Sequence, residues 1–542
     1  MKTKSIKQAL LSASWLCCGV AAALTSCGDF LEEYSQDTDY VRSWVDLDEL
    51  LIGDCYIKPE TSDGFYYHKN YAQFLHLITD EVEGNNCSYP SSTNSDFDNR
   101  EAEFGYYTWQ QRVGANETFT GYQAENLCWQ KLYKCINIAN NVLYSVPNVT
   151  QDTDEKREGV HKVTGEAYFM RAFYYFYLVN IYGQPYNPAT ADNEQGVPLK
   201  TNAEVNDIKF ERNSVKEVYD LIVSDLKAAE QELSQVKSER VKTIYRADLT
   251  AVYLMLSRVY LYMQDWAAAA DYARKAIERH PRLLDLNGNT EKFMLKNNPE
   301  NIFSTGGDDV PVMLYYGFQG LRITKAQYDL YSANDLRRDQ WLWRYESFQG
   351  LTMREKTNKY NPLPEITEGR YYWYAYNDGA KGRQAEVSSV FWLRSAEAYL
   401  NLAEAEACLG HDAEARQALN TLRANRIKRG AEEINVTAAG TDLVKAIRLE
   451  RRKEFILQGQ RWFDLRRYRV SQVAPERISI THDYAVYKER GQADILETRR
   501  YVLTEDDPSW TLPIPHEVLT FNTGMTSNGN QFRDYTVVPN HK

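Results

Sequence analysis

The stretch "RLERRKEFILQGQRWFDLRRY", Arg448 to Tyr468, puts six arginines and one lysine into 21 residues and interleaves them with Phe455, Trp462 and Phe463. It does so in a chain whose net charge is −12. Such a run is compatible with nucleic acid, with an anionic surface, or with charges paired inside the fold. Its own pattern favours the last, because the charges alternate. Arg448, Glu450, Arg451 and Glu454 fall within three- and four-residue reach on one helix, where opposite charges pair. Gly459 reads as a helix stop, and Asp464 sits among Arg461, Arg466 and Arg467. A nucleic-acid stripe would lack the acids. Glu450, Arg451, Glu454, Arg461, Trp462 and Asp464 are therefore expected to be structural.

The N-terminus supplies an address. Lys2, Lys4 and Lys7 precede an apolar run, "LLSASWLCCGVAAAL" at 10–24, which is short for a membrane span and suited to a signal-peptide core. It ends in "LTSC", which resembles a bacterial lipobox. This predicts a signal peptide over 1–26 and a lipid-carrying Cys27, anchored by the two or three acyl chains that stable attachment needs. The acidic residues that follow, Asp29, Glu32 and Glu33, resemble the export signal that takes Bacteroidetes lipoproteins to the outside of the outer membrane. The acidic body argues against nucleic acid or an anionic membrane as its general partner. Forty tyrosines and 13% aromatic residues suit sugars or peptides, since a tyrosine offers both a flat apolar face and a hydroxyl. Beyond Cys27 there remain Cys55, Cys87, Cys128, Cys135 and Cys408, an odd number without metal-like spacing. Cys128 and Cys135 lie seven apart on one predicted helix, roughly 10 Å along its axis, too far for a disulfide. These cysteines read as small buried apolar residues.

Helical periodicity dominates and comes in pairs. In 245–281, Leu249, Tyr253, Leu256, Tyr260 and Met263 mark one face; "QDW" breaks the helix, and Ala270, Ala273, Ala276 and Ile277 line a second before Pro281. Small residues at the crossing and a proline beyond are marks of a tetratricopeptide unit. The layout returns in 388–426, punctuated by Gly410, and further helices are predicted at 126–146, 161–183 and 214–233. The fold class is thus mainly α: four tetratricopeptide-like pairs, about eight helices in an α-solenoid-like bundle, with a large irregular lobe. The helical scaffold spans about 122–281 and 388–468, the lobe about 50–120 and 282–387, and a C-terminal extension 469–542, all in one domain over 27–542. An insertion as long as 282–387 inside a compact domain is usually functional. Residues 341–376 hold ten aromatics in 36 positions.

Several blocks in order resemble the SusD/RagB family of outer-membrane nutrient-binding lipoproteins: "GEAYFMRAFYYFYLVNIYGQPY", "DWAAAADYARKAI", "RSAEAYLNLAEAEACLGHDAEARQALNTLR", "RRKEFILQGQRWFDLRRY" and "WTLPIPHEVL", after a lipobox. "SNGNQF" (527–532) departs from the Gln-Asn-Pro-Gly type sequence common near the end of members. The resemblance implies four tetratricopeptide-like helix pairs on one side, an irregular ligand-binding lobe on the other, and a SusC-type TonB-dependent transporter that the protein covers like a lid. It also implies a glycan ligand, or a peptide in some members.

A pyranose stacks its axial C–H groups on Trp or Tyr, while Asn, Asp and Arg hydrogen-bond its hydroxyls. The regions that the resemblance assigns to the ligand site hold Asn85, Asn86, Arg100 and Trp109, then Trp341, Trp343, Tyr372, Trp373 and Tyr374. For any one aromatic, core packing is the competing reading. An enzyme is the first rival class, but the chain has no GxSxG elbow, HExxH site or Walker loop. "DLNGNTEKF" imitates a calcium loop, yet Thr290 and Lys296 stand where the EF-hand glycine and glutamate belong. No catalytic residue, metal or cofactor is expected. A plain tetratricopeptide scaffold for other proteins is the second rival, and the aromatic enrichment of the insertion speaks against it.

Overall fold

The computed structural model describes residues 41, 43–57, 72–84, 104–114, 125–204, 208–237, 243–288, 294–306, 321–345, 348–351, 387–489 and 494–539. The chain is mainly α-helical. Its long helices are α1 (Leu127–Ser145), α2 (Asp154–Tyr182), α3 (Val215–Leu233), α4 (Leu249–Met263), α5 (Trp266–Arg279), α6 (Ser395–Cys408), α7 (Asp412–Ala424), α8 (Gly440–Glu454) and α9 (Arg461–Arg469). From α1 to α7 each packs on the next, and α8 lies against α6. The insertion between α5 and α6 therefore leaves the helical row intact.

Local chemistry sets the boundaries. Thr153 caps α2 by accepting from the Lys156 amide, and Ser214 and Glu217 form a reciprocal capping box on α3. Gln264 turns into the left-handed region at φ 64°, and Asp265 then caps α5; this is the break expected at "QDW". Gly410, at φ 83°, makes the matching turn between α6 and α7. From Gly159 onward α2 is buried almost all round, the mark of a central helix. Its Phe169 and Phe173 meet Phe303 edge-on.

Phe303 belongs to the predicted irregular insertion, which is more regular than the sequence suggests. It contributes β2 (Asn301–Ser304), antiparallel to β6 (Trp392–Arg394), so that its first part is scaffold. Beyond it, β3 (Leu321–Ile323) pairs with β1 (Val82–Gly84), and β4 (Leu342–Tyr345) with β5 (Phe348–Leu351). The C-terminal extension forms a sheet in the order β7 (Ile480–Tyr487), β8 (Ile495–Leu503), β9 (Thr536–Val538). Its departing segment is tied down: Asn528 donates to the carbonyls of Tyr182 and Leu512. Among the described residues no helix is long and apolar enough to cross a membrane. Cys55, Cys128 and Cys135 are buried free thiols and Cys408 is partly buried.

Candidate functional site

Most of the 448–468 stretch is buried, and most of its charges are paired inside the protein; Arg466 instead donates to the carbonyls of Asn180 and Gly183 and to the Thr511 hydroxyl. Glu454 receives Arg337 at 2.8 Å, Arg394 at 2.6 Å and Arg426 at 2.7 Å. Burial alone would raise its carboxyl; the three guanidiniums hold it at about 2. Glu300 bridges Arg394 and Arg426, and Glu450 binds Arg337, Arg423 and Lys453. A second group runs through α6, α8 and α9. Arg451 forks onto Asp464, and Arg467 spans Asp464 and Glu404. Arg448 also reaches Glu404, whose carboxyl, raised by burial, is drawn down to about 2 by Arg467 and Arg448.

Two expectations from the sequence are corrected. The main partners are not helix neighbours: Arg448 and Arg451 pair across elements, while the i,i+3 contacts are Glu450–Lys453 and Asp464–Arg467. Helix spacing brings like with unlike, but a carboxylate on a facing helix approaches an arginine more directly once both are desolvated. Nor does Gly459 stop α8, which ends at Glu454; the chain turns through Leu457 (φ 50°) and Gly459 (φ 69°) before α9. A side chain at Gly459 would press on Val390, with a Cβ only 3.0 Å from it.

The lattice also grips the second lobe. Arg461 does not pair with Asp464; it forks onto Asp80 at 2.8 and 2.9 Å, and Arg452 reaches the same carboxylate. Asp80 is held at about 2 by these arginines against the effect of burial. Its neighbour Glu81 is fully buried without such a partner, and burial, reinforced by the Asp80 charge, pushes it up to about 8. Strand β1 begins at the next residue and ends one residue before Asn85. Its partner β3 lies against β5, and β7 lies against β1. β1, β3 and β5 are thus neighbours, and the described chain leaves β1 at Gly84 and β5 at Leu351.

Two predicted ligand residues belong instead to the core. Trp341 is 1% exposed, with Arg426, Arg394 and Arg337 at 5.2, 5.8 and 6.0 Å from its ring, a cation–π cage at the foot of β4. Trp109 is 0% exposed, takes φ 51°, and donates its indole N–H to the Ile78 carbonyl. It stacks on His482, which Tyr107 also stacks on. Burial lowers His482 to about 4 although the Tyr107 and Thr79 carbonyls favour a proton. In neither case is a ring face left open for a sugar. Trp343 is placed through its backbone only, opposite Gly350. Asn85, Asn86, Arg100, Tyr372, Trp373, Tyr374 and Cys27 lie outside the described residues. The hallmark residues Glu450, Arg451, Glu454, Arg461, Trp462 and Asp464 are all buried, and Trp462 stacks on Trp510 at 5.0 Å.

Sequence reasoning missed Asp80, Glu300, Arg337, Arg394, Glu404 and Arg426. One signal was available: "SAEAYLNLAEAEA" sets glutamates among small apolar residues, and acids at such positions need buried cations. Among the described residues no cluster of three or more His, Cys, Asp or Glu is arranged to hold a metal ion.

Comparison with known proteins agrees with this architecture. Residues 58–261 match a SusD-like family described as starch-binding and associating with the outer membrane, and residues 288–530 match the SusD family. The chain belongs to the SusD/RagB family. SusD-like protein P38 of Formosa agariphila is 24% identical over 391 residues, 63% of this chain and 72% of that protein. A SusD-like protein of Bacteroides ovatus is 25% identical over 392 residues, 63% of this chain and 65% of its own length. Among solved structures, a putative sugar binding protein of Bacteroides vulgatus superposes with a TM-score of 0.65 at 20% identity, covering 90% of this chain and 99% of that one. A SusD-like carbohydrate binding protein from the same species gives 0.62 at 18%, covering 89% and 97%.

Proposed function

We propose that this protein captures a glycan at the cell surface and delivers it to a SusC-type TonB-dependent transporter in the outer membrane, to which it is tethered through lipid on Cys27. Family membership supports the nutrient-binding role, and solved relatives described as sugar or carbohydrate binding favour a glycan over a peptide. The observation that carries the site is the meeting of β1, β3 and β5. The chain runs on from Gly84 of β1 toward Asn85, Asn86 and Arg100, and from Leu351 of β5 toward Tyr372, Trp373 and Tyr374. In this reading the polar residues bond ligand hydroxyls and the rings stack on its C–H faces. The buried ion pairs of Glu450, Glu454, Arg451 and Asp464 supply rigidity in this reading, not contacts to ligand. No step in this role breaks a bond of the ligand.

Screening the lipid-free protein on a glycan array, with a peptide library in parallel, tests the reading. Selective retention of one glycan class is expected; binding confined to peptides would replace the ligand class. Cross-linking in the native organism should recover a TonB-dependent barrel. Cys27→Ala should release the protein from the outer-membrane fraction.

A further inference from the structure

Cys55 and Cys135 are 80 residues apart in sequence and meet in space. Cys55 ends the turn Leu51–Cys55, which packs on α1, and Cys135 is buried on that helix. The Cys55 sulfur lies 3.5 Å from the carbonyl oxygen of Cys135. The Cys135 sulfur lies 3.6 Å from the carbonyl oxygen of Asp54, in the peptide group that leads into Cys55. Each sulfur therefore rests on the backbone at the other. The Tyr174 hydroxyl of α2 sits beside the pair, donating to the Cys55 carbonyl and interacting with the Cys135 sulfur. Cys128 turns to Tyr182 instead, and Cys408 belongs to a separate apolar cluster.

We propose that the exported protein carries a Cys55–Cys135 disulfide. Each sulfur already lies within 3.6 Å of the backbone at the other cysteine, so the pairing asks for side-chain rotation rather than for new packing of the two elements. The inference rests on the export reading above, because such bonds form and persist in oxidising compartments. Two S–H bonds are lost and one S–S bond forms. The two protons and two electrons pass to a disulfide oxidant: a protein disulfide of the export compartment, which leaves as the dithiol, or glutathione disulfide in vitro, which leaves as two thiols. Burial pushes both thiols up, Cys135 to about 11, so the reactive thiolate is scarce once the fold closes. The bond therefore forms during folding. It staples the first described segment to the scaffold, at the end of the chain from which an N-terminal lipid would pull.

The test uses the full chain with its own leader, recovered from membranes, alkylated with iodoacetamide under denaturing conditions and digested without reductant. The Cys55 and Cys135 peptides are expected as one species, lighter than their sum by two hydrogens and separated by reduction. Cys55→Ser with Cys135→Ser should abolish it and lower the melting temperature by several degrees. Alkylation of both thiols, or linkage of either to another cysteine, would overturn the proposal. The same chain, reduced, unfolded and refolded with glutathione disulfide, separates the two premises. A bond formed there but missing in cells contradicts export to an oxidising compartment, while no bond in either contradicts the pairing.

Discussion

Two junctions hold the second lobe, one to the helical body and one to the C-terminal sheet, and they solve burial in opposite ways. At the first, Arg461 and Arg452 close on Asp80, continuous in sequence with the lattice of Glu450, Glu454, Arg451 and Asp464. At the second, Trp109, His482 and Tyr107 stack face to face, and burial draws the imidazole down to about 4 although both its ring nitrogens face backbone carbonyls. The first junction pairs Asp80 with two arginines; the second holds a ring whose proton burial disfavours. The first should be intolerant of losing a partner, since the survivors are ions out of water. The second should be sensitive to acid, which forces a proton onto a desolvated ring.

The largest effect is expected at Glu454. Replacing it with Ala leaves Arg337, Arg394 and Arg426 without their shared carboxylate, and breaking even one buried pair costs on the order of 3–5 kcal/mol. Glu454→Ala should yield little folded protein; parent-like melting would show that the lattice is dispensable. Arg461→Ala strands only Asp80, which keeps Arg452, so it should express but melt well below the parent, by roughly 3 kcal/mol of stability. Full stability with lost ligand binding would move Arg461 from scaffold to site.

The two junctions also carry opposite pH signatures. Glu81 is raised to about 8 in the fold from an ordinary value near 4.3. The folded state therefore holds a proton that the unfolded chain has lost, and stability falls as pH climbs through that window. Glu81→Gln should melt above the parent at pH 8 to 9, with the advantage fading toward pH 4 to 5. His482 is lowered to about 4, so stability is complete above pH 6.5 and drains as pH falls toward 4. His76, lowered to about 3 by burial, adds to the same slope. His482→Phe should flatten, though not abolish, the loss between pH 6.5 and 5, above the range where the paired carboxylates titrate. An unchanged slope would mean that His482 does not stay neutral in the fold.

The helices were legible because they repeat a signal: apolar faces at three- and four-residue steps, a break at Gln264 and Asp265, a glycine at 410. The lattice was half legible. Alternating signs in 448–468 announced internal pairing, but the partners Asp80, Glu300 and Arg337 stand more than a hundred residues away, and nothing local in the sequence encodes them. β1 and β3 were hidden for a related reason, since three-residue strands have no period to read and their pairing is wholly tertiary. Trp341 and Trp109 looked like ligand platforms because composition counts rings without saying which way they face. Only packing shows that one is caged by arginines and the other pinned to Ile78.

That distinction between rings bounded by core and rings offered to ligand is the center of the functional account. It is tested most directly by measuring thermal melting and glycan affinity together for Trp341→Ala, Trp109→Ala and Trp373→Ala, on the glycan that the array selects. The account predicts that Trp341→Ala and Trp109→Ala lose roughly 3–5 kcal/mol of stability yet bind normally in whatever fraction folds. Trp373→Ala should melt with the parent and lose affinity at least tenfold, about 1.4 kcal/mol. If Trp373→Ala instead melted far below the parent with affinity intact, the aromatic segment would be core and the proposed binding site would be wrong.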